Sequence, residues 1–157
     1  MTCKMCLPGW RIKQAIRRHG DDVTCAHASA HGPRRREYLC RPEQIWKCIE
    51  ATDARATFIG HARVPMVLYR TPTGNLRELH PDPGTAIPLS PACRYVVNVG
   101  SVGQPRDGNN AACYALYDDA TAEVTIHRIP YDYMSAAEKI LNAGLSARFA
   151  GRLMEGR

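Results

Sequence analysis

Three short β-type segments each stop abruptly at a histidine or a glycine, and this limits the folds open to the chain more than any other feature. Val23–Ala26 runs straight into His27. Ala56–Ile59 ends at Gly60 and His61, and Tyr95–Val99 breaks at Gly100 and Ser101. Runs this short, apolar and rich in β-formers read as buried strands, and the polar or small residue at each end begins a loop. A sheet whose strand ends carry chemistry-bearing residues on loops is the usual platform for a site.

The remaining segments fill in around that platform. Asp21–Asp22 reads as a turn, and residues 28–36 as a loop punctuated by Gly32 and Pro33. Pro42–Ala51 predicts a helix: Pro42 suits its first position, Glu43 its positive end, and Ile45, Trp46 and Ile49 one apolar face. Val64–Arg70 predicts a strand that turns through Pro72–Asn75 into a partner at Leu76–His80. Residues 81–91 hold four prolines and read as irregular. Ala112–Tyr117 and Val124–Ile129 predict two further strands. A helix capped by Ser135 and Glu138 follows, then a shorter one carrying Phe149, Leu153 and Met154. Strands interleaved with one helix, then a helical tail, predict an α/β or α+β fold with a mixed sheet.

At 157 residues the chain suits one domain. Residues 1–21 form an N-terminal segment of uncertain structure, in which Trp10, Ile12, Ala15 and Ile16 share a helical face; residues 22–157 form the domain. No apolar run reaches the roughly 18 residues of a membrane span, and no secretory signal is expected at the N-terminus. Seven scattered cysteines without such a signal predict reduced thiols and a cytoplasmic location. Cys3 and Cys6 make a lone C-x-x-C, half of what a structural zinc site needs. The formal charge of +6 lies entirely in residues 1–63, where 12 Lys/Arg face 6 Asp/Glu. That asymmetry suits a phosphate-bearing partner or merely solvated arginines. The densest run, Arg34–Arg36, lacks the interleaved aromatics of a nucleic-acid groove, so no nucleic acid is expected.

His27 and His61 are the first candidates for chemistry. A neutral imidazole at the end of a rigid strand is placed to coordinate a divalent metal with little entropic loss. The words around them are CAHAS (Cys25–Ser29), GHARVP (Gly60–Pro65) and NVGSVGQPRDG (Asn98–Gly108), in that order. This succession resembles the calcineurin-like metallophosphoesterases, in particular their bacterial phosphodiesterase-type branch. The late motifs there read V-H-A/G-S, G-H-x-H-x-P and N-P/V-G-S-V-G-Q-P-R-D-G. The resemblance runs from about residue 22 to the C-terminus and is most specific over Asn98–Gly108.

The resemblance implies the C-terminal part of an α-β-β-α sandwich. It also implies a two-metal centre of manganese, iron or zinc, which activates a water against a phosphate mono- or diester. By motif matching, His27 and His61 would bind the second metal. Arg63 occupies a metal-ligand position where the family has histidine. Ser101, Gln104 and Arg106 would lie on the phosphate side of the cleft. The family's early motifs, D-x-H, G-D-x-x-D and G-N-H-D/E, do not occur. Arginine donates only and cannot ligate a metal. The expectation is therefore a truncated phosphoesterase, inactive or weakly active alone, with weakened metal binding. The alternative is a non-catalytic or regulatory half that pairs with a chain bearing the early motifs. Loss of half the sandwich would leave apolar faces for a protein partner or a homodimer to cover.

Overall fold

The computed structural model describes residues 16–157. The Cys3–Cys6 pair and the expected helical face at Trp10, Ile12 and Ala15 lie outside the described residues. Ile16, the last member of that face, belongs to a strand instead. β1 (Ile16–His19) turns through residues 20–22 and pairs antiparallel with β2 (Val23–Ala26).

A six-stranded mixed sheet follows. α1 (Pro42–Glu50) links β2 to β3 (Ala56–Ile59), which lies parallel to it. β4 (Met66–Arg70) and β5 (Leu76–Leu79) form a hairpin, and β7 (Arg94–Asn98) enters between β3 and β4. The order is β1-β2-β3-β7-β4-β5, with β2, β3 and β7 parallel at its heart. All four residues of β3 are buried. Layers on both faces explain why this strand reads as a continuous apolar run rather than an alternating one. A second sheet, ordered β6-β9-β8, is built from β6 (Ala86–Pro88), β8 (Ala112–Asp118) and β9 (Glu123–Ile129). β6 corrects the irregular reading of residues 81–91. Pro88 sits at the end of a strand paired on one side only, where its missing N–H is tolerated.

The sheets face one another. Val23, Phe58, Val67, Tyr95 and Val97 of the first pack with Val124 of the second. On the opposite face of the first sheet, Cys48 and Ile49 of α1 meet Ala26, Ile59, Leu68 and Val96. The tail is a helix pair, α2 (Tyr133–Asn142) and α3 (Ala147–Glu155), closed by Ala137, Ala150 and Leu153. α2 begins earlier than the Ser135 box predicts. Asp132 is its N-cap, accepting a hydrogen bond from the Ser135 backbone N–H at 3.0 Å and from its hydroxyl at 2.6 Å. Glu43 and Pro42 sit in the first turn of α1 as expected. Cys40, Cys48, Cys93 and Cys113 are in no disulfide.

Candidate functional site at the strand ends

The C-terminal ends of the parallel strands β2, β3 and β7 open onto one place. The loop after β2 begins with His27 and the loop after β3 with Gly60 and His61. The two loops are laced together by a hydrogen bond from the Gly60 N–H to the His27 carbonyl, 3.0 Å. The rings themselves meet: His27 Nε2 lies 2.9 Å from His61 Nδ1, with the ring planes at 69°. Tyr38, from the loop before α1, covers the His61 ring at 4.6 Å between centroids. Ala28, Tyr38, Ile59, His61 and Asn98 line a pocket beside them.

The backbone here is held in an uncommon shape. His61 has φ +30° and Arg63 φ +64°, both in the left-handed region that favours glycine. Each such residue costs on the order of 1 kcal/mol and persists only where neighbours over-determine it. The Arg63 N–H reaches the Gly60 carbonyl at 3.3 Å, and the Arg63 carbonyl accepts from the Arg106 N–H at 3.1 Å.

That second bond brings in the loop after β7. Asn98 is buried and its Oδ1 accepts from the Gly100 N–H at 3.1 Å. Gly100 has φ +76°, and a Cβ there would lie 2.8 Å from Cys113 Cβ, so only glycine fits. The Ser101 hydroxyl accepts from the Gln104 N–H at 3.0 Å, while the Ser101 carbonyl accepts from Cys113 of β8 at 2.9 Å. Gln104 Oε1 in turn accepts from the Arg63 guanidinium. All six residues singled out from the sequence thus fall in one cluster. Ser101 serves there as a brace for the loop.

The electrostatics are one-sided. The pKa of His27 is lowered by burial first, then by Arg36 and Arg63. That of His61 is lowered by burial, then by His27, Arg36, Arg63 and Arg106. Arg63 is itself pressed below its ordinary value by burial and by Arg106. Apart from the imidazoles themselves, the charges among the described residues that lower these two pKa values are arginines. The carboxylates nearby are otherwise engaged: Asp107 pairs with Arg128, and Glu37, on the pocket wall, with Arg35 at 3.8 Å. No cluster of three or more His, Cys, Asp or Glu side chains suited to a metal exists among the described residues. Two imidazoles hydrogen-bonded to each other, facing three guanidiniums, do not by themselves fit a divalent cation. Two members of the cluster went unread in the sequence. Tyr38 carries no motif, and Arg36 is legible only as part of a basic run remote in sequence from both histidines.

No family model matches the chain. A metallophosphoesterase from Sphaerobacter thermophilus, known from its crystal structure, superposes with a TM-score of 0.80 at 31% identity, over 92% of this chain and 58% of its own. The chain has the fold of part of a metallophosphoesterase. A hypothetical protein of Pyrococcus horikoshii OT3 shares the fold at a TM-score of 0.64 and 18% identity, over 90% of this chain and 50% of its own. An uncharacterised protein of Methanocaldococcus jannaschii is 36% identical over 138 residues, 88% of this chain and 53% of that protein. The chain therefore spans little more than half the length of these relatives. The mixed sheet, second sheet and C-terminal helices are those of the metallophosphoesterase sandwich. No helix among the described residues is long and apolar enough to cross a membrane.

Proposed function

We propose that this chain is the phosphate-handling part of a metal-dependent phosphoesterase and does not turn over phosphate esters on its own. The convergence of His27, His61, Arg63, Gln104 and Arg106 at the ends of β2, β3 and β7 carries this reading. Guanidinium forks there suit the oxygens of a phosphate mono- or diester.

The reading assigns His27 and His61 as imidazole ligands of a second metal (manganese, iron or zinc) only where carboxylates arrive from outside the described residues. Family chemistry needs those carboxylates to hold a cation pair and the water it activates. Arg63 cannot replace a ligand, because its guanidinium stays protonated and offers no lone pair. Two imidazoles alone would hold a cation weakly.

The test is hydrolysis of a chromogenic phosphodiester by the purified chain with manganese. The expected result is no turnover above a His27→Ala control. Co-expression with a chain bearing D-x-H and G-D-x-x-D motifs should raise it if the missing carboxylates come from a partner. Robust turnover by the chain alone, abolished in His27→Ala, would overturn the reading.

A further inference from the structure

We propose that the corner formed by Arg63, Gln104 and Arg106 binds a phosphate oxyanion directly, with no metal between protein and ligand. The inference deepens the phosphoesterase reading, on which it rests for the ligand class, and departs from it on how the ligand is held.

The site is made of donors. Arg63 spends one of its five N–H groups on Gln104 Oε1, which fixes the plane of the guanidinium and leaves the rest of the fork for a ligand. The Arg106 Nε atom is buried with no partner among the described residues. A donor left buried and unpaired on a charged group is a cost that a ligand oxygen reaching it would remove. Arg36 adds a third cation within electrostatic reach of both histidines. Among the described residues no acidic side chain shifts either ring, and Asp107, the acid adjacent to Arg106, pairs with Arg128.

The same arrangement is hostile to a divalent cation. Three guanidiniums repel it, and the nitrogens His27 Nε2 and His61 Nδ1 already share a proton across 2.9 Å. For a metal to bind between them that proton would have to leave. An anion needs no such rearrangement, because positive charge and N–H donors are in place before it arrives. The uncommon backbone at Arg63, φ +64°, is tied to the Arg106 N–H through the Arg63 carbonyl, so the two arginines share one rigid support. Gln104 is a positioning residue: it reaches the ligand only through Arg63.

The experiment is calorimetric titration of the chain with inorganic phosphate in EDTA, then with added manganese. Arg63→Ala should weaken metal-free binding about tenfold or more, the loss of one charge-assisted contact. Arg63→Lys should fall between, since it keeps the charge and loses the fork. Gln104→Ala should weaken binding less than Arg63→Ala, and the deficit should vanish in the Arg63→Ala background, as a residue acting only through Arg63 requires. Arg77→Ala, an exposed arginine on the edge strand β5, removes the same charge elsewhere and should change nothing. Unfolding midpoints of all variants separate lost binding from lost folding. Phosphate binding that requires manganese, or that falls equally in Arg63→Ala and Arg77→Ala, overturns the inference and leaves the phosphoesterase reading standing. Failure of the parent chain to bind phosphate with or without manganese overturns both.

Discussion

The central parallel strands and the helical tail are built to different tolerances. Every residue of β3 is buried, as are four of five in β7. The tail buries Ala137, Ala150 and Leu153 and leaves Met134, Leu141, Leu145, Phe149 and Met154 between 44% and 54% exposed. The histidines and the Gly100–Arg106 loop grow from the first region, where packing on both faces fixes the backbone. Strain such as that at His61 and Arg63 is affordable only on such a platform. The tail is closed by Ala137, Ala150 and Leu153.

Substitutions can break this contrast. The largest effect is expected at Gly100, in the loop that leaves β7. Gly100→Ala places a Cβ 2.8 Å from Cys113 Cβ at a φ of +76°, and should cost roughly 2–4 kcal/mol by urea unfolding. A smaller loss is expected in the tail. Asp132→Ala removes the cap of α2 and should lower the urea midpoint less than Gly100→Ala does, with phosphate binding unchanged. If the tail substitution cost as much as the loop one, the two regions would be equally committed and the contrast would fail.

The smallest effect sharpens the picture at the site itself. His27 and His61 both titrate below the ordinary imidazole value of 6.5, chiefly through burial and then through the surrounding arginines. The unfolded chain therefore takes up protons at a higher pH than the folded one does. Stability from these groups is fully present above about 6.5 and is lost as pH falls through the lowered values. Denaturation midpoints followed from neutral to mildly acid pH should show that decline, and His27→Gln should flatten it. A profile unchanged by His27→Gln would mean that neither burial nor the arginines lower the pKa of that ring.

Local pattern made most of the platform legible. Continuous apolar runs marked β2, β3 and β7, and Pro42 with Glu43 marked α1. β6 was hidden because Pro88 and its neighbours carry turn chemistry, and only pairing with β9 makes a strand of them. The cap of α2 was misplaced because Ser135 and Asp132 both suit the role; the acid prevails by accepting two bonds from Ser135. At the site, the words around His27, His61 and Asn98 carried all six singled-out residues into one corner. Tyr38 and Arg36 were invisible to that reading, because their nearness to His61 arises from the path of the loop before α1.

The end of α3 reaches back to the ligand-facing loop. The Gly108 N–H bonds the Gly156 carbonyl at 3.0 Å, and Asn110 Nδ2 bonds the Met154 carbonyl at 3.2 Å. A Cβ at Gly156 would press within 2.8 Å of the Asn109 backbone. Cutting the chain ahead of Gly156 would thus remove a support from the loop that carries Gln104 and Arg106.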